Sequence, residues 1–544
     1  MKFSFFTLIL SIAIGPLLFS QVQRAYYWPL QQGAALDFSG GQPQFVTDCA
    51  LWSFEACGAI CDEQGQLLMY TNGGGRDSPF QPKGTIWNKN HQVLYDMGNT
   101  EGGGYSAMQG ATIIPAPGKP HHYYVLTMEE AEFDANGGGV PGQPVGRGFS
   151  AFLVNMEANG GTGEVVQYWP MIFTPAYEAM CAIRHPNCED YWVIINRYES
   201  GDFLVFPITS NGIGTPKYFN FSRPFEPVYG GGEIKASPDA RWVISAQHIF
   251  KFDAINGTLS YHHKLNGDTF FGSFSPNSRY YYAQVTSNII RYDLSATNPD
   301  ASMEVIASLG EFGLGERGSM QLGPDGSIWF RERPTNEPGK DYLNAIRQPD
   351  AVDAFVETKI FTLPVSSATP LLPDFPAQWF SSTPVPAAPL VALPDMALCG
   401  DSSLVLATGV TGFPVVWNTG DTTPTLTVSD PGVYVATALG CTSISDTIIV
   451  TESNCACPIL IPNAFTPNGD FNNELFGPVN APDGYSMRIW SRWGHSVFNY
   501  TGDAGAASWD GMYQGQPAPP DVYVYQIHWE VCNITKTGEL TLIR

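Results

Sequence analysis

The sequence predicts an all-β protein, and three observations carry that prediction. Gly (56) and Pro (43) are abundant among 544 residues, with 13% aromatic and only 14% charged residues, a composition of short strands and tight turns. A strand–turn–strand unit recurs through the first two-thirds of the chain. Later segments such as Leu426–Val428 and Val433–Thr437 alternate with a period of two, as half-buried strands do. At 44% hydrophobic residues the chain can fill several cores, at roughly 100–200 residues per domain.

The chain opens with Met1 and Lys2, an apolar run from Phe5 to Phe19, and Ser20 before Gln21. A short basic end, an apolar stretch and a small residue predict a signal peptide over 1–20, cleaved before Gln21. No Cys follows closely, so a lipid anchor is not expected. No other segment is apolar for the ~20 residues that a membrane span requires. The formal charge of −24 would repel phosphate backbones and excludes nucleic acid as a partner.

The repeat is plainest in Glu233–Ser245, Phe271–Ala283 and Ser319–Phe330. In each, Pro238, Pro276 or Pro324 fixes φ for a turn, Asp239, Asn277 or Asp325 follows, and an aromatic-rich strand begins. Looser copies are Ala59–Tyr70, Thr112–Gly118 leading into Tyr123–Thr127, and Met180–Asn187 leading into Tyr191–Ile195. The spacing is near the ~40–50 residues of a propeller repeat. These six units predict a β-propeller over 21–382 with six or seven blades. Seven is favoured if strands near Ala35–Phe38 and Phe355–Leu363 combine into a ring-closing blade, because closure removes exposed sheet edges.

A Pro-rich linker, 383–390, follows. Residues 391–454 carry Cys399, Trp417 and Cys441 in the order expected of a small Ig-like sandwich. Ten cysteines in an exported chain predict disulfides. Cys181 with Cys188 would bridge the turn at His185–Asn187, Cys399 with Cys441 would staple the spacer, and Cys457 with Cys532 the last domain. Cys455 and Cys457 lack the second pair of a zinc site.

Residues 455–544 contain Pro462, Asn463, Phe465, Pro467 and Asn468, then Arg492, Trp493 and Gly494, then Trp509, Asp510 and Gly511, then Tyr523. That ordered series resembles the gliding motility-associated C-terminal, or type B sorting, domain of the Bacteroidetes type IX secretion system. The segment from Leu67 to Gly118 also looks like the part that often precedes such domains. The resemblance implies a C-terminal β-sandwich, export by the type IX outer-membrane translocon, a cognate outer-membrane accessory protein, and a secreted or outer-cell-surface location. It gives the Trp and Gly motifs a role in packing and turns that shape a surface read by the secretion machinery. Asp470, Asn472 and Glu474 place oxygens at alternate positions, a pattern that could supply part of a calcium shell. The family usually has Gly where this chain has Phe471 and Asp where it has Glu474.

No zinc-protease helix, nucleophile elbow or phosphate-cradling loop is present, and no cofactor is predicted. His121–His122 and His262–His263 are adjacent pairs that a strand points to opposite faces, which chelate poorly. His185 sits in a predicted turn. Glu129, Glu130, Glu132 and Asp134 could offer a carboxylate pair for glycan cleavage or form an acidic loop. Gly runs at 73–75, 102–104, 137–139 and 230–232 could line a binding face at one end of the channel. The expectation is a binding or adhesion module for a glycan or protein, with an extracellular glycan hydrolase or lyase and a surface-layer component as alternatives. Carboxylates converging in the channel would speak for catalysis, and a flat aromatic face for binding.

Overall fold

The structure, a computed structural model, describes residues 21–544 apart from 31–32, 54, 76–82, 99–106, 130–147, 175, 198–201, 222–231, 268, 270, 310–316, 335, 338, 365–371, 382–389, 391–393, 400–402, 454–459, 480–484, 502–507 and 530–533. The expected signal peptide therefore lies outside the described residues. The chain forms two compact units. The first is 1–389 with the loops 412–414 and 438–444, and the second is 390–411, 415–437 and 445–544.

In the first unit every predicted repeat is the hairpin between the first and second strands of a blade. The turn residues explain why. Ser237, Ser275 and Gly323 accept a bond from the backbone N–H three residues on, at Ala240, Ser278 and Gly326, and those residues hold φ of 58°, 64° and 75°. Asp239, Asn277 and Asp325 then accept the N–H two residues ahead through a side-chain oxygen, the local bond that makes Asx residues turn formers. The upstream copies follow the same rule: Gly65 (φ 83°) after Asp62, and Cys188 (φ 68°) after His185. In the remaining copy Gly118 and His121 are left-handed, at φ 67° and 58°.

Seven sheets result. Blade I is Tyr27–Pro29, Ala35–Asp37 and Gln44–Val46. Blade II is Gly58–Cys61, Leu67–Thr71, Gly84–Asn88 and Val93–Gly98; blade III is Ala111–Pro115, His122–Thr127, Phe149–Asn155 and Glu164–Phe173. Blade IV is Ala176–Arg184, Tyr191–Arg197 and Phe203–Thr209, with Gly212–Ile213 and Lys217–Phe219 at its outer edge. Blade V is Ile234–Ala236, Trp242–Ser245, His248–Asp253 and Thr258–Lys264; blade VI is Gly272–Phe274, Tyr280–Val285, Asn288–Asp293 and Glu304–Ser308. Blade VII is Arg317–Leu322, Ile328–Glu332, Tyr342–Arg347 and Phe355–Thr362.

First strands of successive blades lie side by side, and apolar residues fill the spaces between blades. Tyr124, Phe149 and Phe206 pack between III and IV, Trp192, Phe203 and Phe250 between IV and V, and Phe274, Tyr281 and Tyr292 around V and VI. The ring closes where Phe38 of blade I meets Trp329 of blade VII, with ring centroids 6.1 Å apart, and Phe45 meets Phe361 at 6.2 Å. The expected closing blade needs correcting. Ala35–Asp37 and Phe355–Thr362 do not share a sheet, because the latter pairs with Tyr342–Arg347 as the outer strand of blade VII and blade I is built from the N-terminal segment alone.

The expected disulfides are corrected as well. Cys188 is bonded to Cys441, with Cα atoms 5.0 Å apart. Cys181 is free and buried: it lies within the first strand of blade IV opposite Ile194, away from the turn that carries Cys188. With Cys441 so engaged, a Cys399–Cys441 staple is excluded. Cys457 and Cys532 lie outside the described residues.

In the second unit, Met396–Cys399, Ile444–Ser453, Gly432–Ala438 and Val415–Trp417 form one sheet, and Leu404–Ala407 with Thr425–Val428 another. Trp417 is 1% exposed, with its indole N–H on Thr423 O. The last sheet runs Ala464–Phe465, Ile534–Leu542, Val522–Trp529, Tyr485–Ser491 and Ser496–Thr501. Its first pair is parallel, and Phe465, Phe476, Trp509, Tyr525 and Trp529 form its core.

Candidate functional site

Past blade VII the chain turns back into the propeller axis. Leu372 N–H donates to Ser319 Oγ of blade VII at 2.6 Å. Asp374 O accepts Thr112 Oγ1 of blade III at 3.3 Å. Gln378 bridges two more blades, accepting Arg184 N–H and donating to Ser237 O, each at 2.9 Å. One short segment thus bonds to or beside the first strands of blades III, IV, V and VII, so it plugs the channel.

Charge concentrates at the centre of this plug. Lys235 Nζ lies 2.7 Å from Asp374 Oδ1, 3.1 Å from Gln321 Oε1 and 3.8 Å from Glu233 Oε2. Gln109 donates to Asp374 at 3.2 Å and bonds both backbone groups of Ile234. Burial raises both carboxyl groups: Glu233 is pushed up to about 8, and Asp374 is raised against the pull of Lys235. Burial alone would lower Lys235, but Asp374 and Glu233 outweigh it and raise it. Asp374 is in direct contact with the ammonium, while Glu233 stands farther off at 3.8 Å. Two carboxylates do converge in the channel, yet the cavity beside them measures about 10 Å³, room for one water at most. Among the described residues, this cavity leaves no room for a substrate beside Asp374.

The same end of the ring, where the first-to-second-strand turns lie, carries an open cavity of about 610 Å³. Trp379, Phe380, Pro276, Pro349 and Val22 supply apolar lining, and Gln348, Asp350 and Ser381 supply polar groups. Asp350 Oδ1 accepts Asn277 N–H at 2.9 Å, fastening blade VI to blade VII. Beside it, Asp239 N–H donates to Ser278 Oγ at 2.9 Å, fastening V to VI. The Trp379 indole N–H is buried without a hydrogen-bond partner among the described residues.

The residues singled out by sequence are mostly structural. His185 is buried and lowered by burial, accepts Asn187 N–H on Nδ1 and meets Ile255 O through Nε2. His122 faces Pro120 O, while His121 lies 3.4 Å from Glu157. His262 packs on Trp242, and His263 pairs with Asp300 at 3.0 Å. Glu129 is 2% exposed and caps Ala176 N–H at 2.7 Å. Glu130, Glu132, Asp134 and the Gly runs at 102–104 and 137–139 lie outside the described residues. Sequence reasoning passed over Lys235 and Glu233 although both stand in a quoted repeat. The available signal was two charges two residues apart, one just before a first strand and one within it, where the other plain copies have uncharged Phe271 and Ser273 or Ser319 and Gln321.

In the last domain the motifs resolve into a core and turns. Trp509 is fully buried, its indole N–H on Met512 O, and Asp510 accepts Met512 N–H. Gly511 holds φ 75° and accepts Arg544 through its carbonyl; a Cβ there would lie 2.9 Å from Pro467 Cγ. Tyr523 donates to Pro519 O, Asn463 O accepts Thr541 N–H, and Phe465 is core. Gly494 turns the hairpin at φ 81°. Trp493 at its tip is 78% exposed, with the Arg492 guanidinium 5.4 Å above its ring. The candidate calcium loop bonds to itself. Asp470 accepts Asn472 N–H and Asn468 Nδ2, and Glu474 accepts Phe471 N–H; the bonds from Asn472 first and Asn468 next hold the Asp470 carboxyl below its usual range. Among the described residues, no group of three or more His, Cys, Asp or Glu could hold a metal ion.

Residues 459–542 match the CHU_C type IX secretion signal domain. No curated protein matches the chain. Among solved structures, the chain aligns with PorZ, an essential surface component of the type IX secretion system of Porphyromonas gingivalis, at 11% identity and TM-score 0.21, covering 96% of this chain and 74% of that one. It aligns with a putative TolB from Agrobacterium tumefaciens at 17% identity and TM-score 0.26, covering 42% and 81%. It also aligns with a quinonprotein alcohol dehydrogenase-like protein from Bacteroides thetaiotaomicron at 10% identity and TM-score 0.35, covering 63% and 78%. The chain carries a type IX secretion signal domain, which marks it for the cell surface or for release. No helix among the described residues is long and apolar enough to cross a membrane.

Proposed function

We propose that the propeller of this exported protein is a binding module whose ligand, a glycan or a protein segment, seats in the open cavity of the turn face. The observation that carries this reading is the division between the two sites. Among the described residues, the carboxyl groups that converge, Glu233 and Asp374, are buried within and beside the plug. Among the described lining of the open cavity, the sole carboxylate is Asp350, already engaged by Asn277. Glycoside hydrolysis needs two carboxyl groups flanking one bond, and that lining offers a single one. An apolar floor with a few polar groups is the make-up of a recognition pocket.

Gln348 is exposed at the rim and already bears a left-handed φ of 53°, so Gln348→Trp, which keeps a Cβ at that position, should fill the cavity with little added backbone strain. Wild-type protein screened on glycan and peptide arrays should show a specific hit. The variant, with an unchanged melting temperature, should bind that hit at least tenfold more weakly. Equal binding by the variant, or no hit for the wild type, would refute the proposal.

A further inference from the structure

The salt bridge at the channel centre brings together the parts of an amide bond. Lys235 Nζ, on the first strand of blade V, lies 2.7 Å from Asp374 Oδ1 of the plug, close enough for amine and carboxyl to react as neighbours within one molecule. Both ends are held. Lys235 is fixed in its strand opposite Ile244, and the Asp374 carbonyl accepts Thr112 Oγ1 at 3.3 Å. The pair is also dry: Lys235 and Asp374 are each under a tenth exposed, and the cavity beside them measures about 10 Å³. Two charges enclosed in this way carry a desolvation penalty that a neutral amide does not. Scarce water also favours condensation over hydrolysis.

The neighbouring residues supply the rest of the chemistry. Gln109 Nε2 donates to Asp374 Oδ2 at 3.2 Å, the oxygen turned away from the amine. Its amide is oriented by both backbone groups of Ile234, so a donor points where negative charge gathers when the carboxyl carbon is attacked. Glu233 Oε2 stands 3.8 Å from Nζ and has no hydrogen-bond partner among the described residues. Burial pushes Glu233 up to about 8, the range in which a carboxyl can both give and take a proton near neutral pH.

We propose that Lys235 and Asp374 condense into an intramolecular isopeptide bond, with Glu233 carrying the protons. The ammonium first passes a proton to Oδ1, and the neutral Nζ then bonds to Asp374 Cγ. Glu233 gives its proton to Oδ1, the Cγ–Oδ1 bond breaks and one water leaves. The nitrogen returns a proton to Glu233, so nothing is oxidised or reduced and no co-reactant is consumed. Oδ2 remains as the amide oxygen on Gln109, and the amide N–H keeps Gln321 Oε1, 3.1 Å from Nζ, as its acceptor. The bond would close residues 235–374 into one covalent loop through blades V, VI and VII and lock the plug in the axis. The ion pair is the reactant, and chains that have not condensed keep its stability and pH response.

Intact-mass and peptide-mapping spectrometry of the full chain, recovered from outside its own cells, reduced and denatured, tests the bond. Once the N-terminus has been mapped, wild type should be lighter than its sequence by one water, and a branched peptide should join the segments that carry Lys235 and Asp374. Lys235→Arg, whose guanidinium does not condense, should show the full mass. Glu233→Gln should form the bond about 100-fold more slowly, a usual effect of losing a positioned proton carrier, as followed in pulse-labelled cells. A wild-type chain of full mass, or a water loss mapped to other residues, overturns the bond whether or not either variant folds. Condensation of Glu233→Gln at the wild-type rate overturns the role given to Glu233.

Discussion

Lys235→Met is expected to destabilise the propeller by about 3–5 kcal/mol, the usual cost of removing one partner of a buried ion pair. Lys235, Glu233 and Asp374 are each under a tenth exposed, so the carboxylate left behind cannot turn to water. Chemical unfolding of the purified chain should show the loss. Adding Asp374→Asn to Lys235→Met should recover part of it, because the orphaned charge is gone while the bond to Gln109 can persist. A single variant as stable as wild type would mean the ion pair contributes nothing to the seal.

The same cluster predicts a pH dependence. Glu233 keeps its proton in the folded state up to about 8, whereas an unfolded Glu releases it near about 4.3. Folding therefore takes up a proton between those values, and stability falls as pH rises through that window, then levels off above it. Lys235, raised in the fold, stays charged throughout and adds no slope there. Asp374, also raised by burial, adds a slope of the same sign, so Glu233→Gln should make the profile shallower between about 4.3 and about 8 without removing the part due to Asp374.

Deleting 457–544 is expected to abolish delivery outside the cell and leave the chain in the periplasm, the second large effect. This segment contains the matched secretion signal domain, 459–542, and has its own core around Trp509 and Trp529. The propeller's blades, channel plug and turn-face cavity all belong to the other unit. Fractionation and protease accessibility read the result, and surface delivery of the truncated chain would sink the address assignment. The truncated propeller should still melt cooperatively.

The turns were the most legible part of the fold. Pro238, Pro276 and Pro324 followed by Asp or Asn are local chemistry, and local chemistry is written in adjacent residues. That is why six hairpins could be read in order. The ring-closing blade could not be placed, because pairing of Phe355–Thr362 with its neighbour rather than with Ala35–Asp37 depends on packing around Trp329 and Phe361. Disulfide choice failed for a related reason: Cys188 and Cys441 are 253 residues apart, and sequence proximity favoured Cys181. The channel was hidden most completely. Asp374 stands in a Pro-flanked stretch with no pattern of its own, and its partners Gln109, Thr112 and Lys235 come from two other blades and the approach to one of them. Conversely, the motif residues Trp509 and Gly511 were legible as packing and turns.

The plug also sets an order of events for the nascent chain. Its hydrogen bonds reach back 139 residues to Lys235, 194 to Arg184 and 265 to Gln109. Pairings of such long range are slow to form, since loop closure must precede any gain from contact. Blades can condense hairpin by hairpin as they emerge, but the axis stays open until residue 378 is available. Axial closure is therefore a late, whole-ring step, and the chain remains vulnerable to proteases along its centre until then.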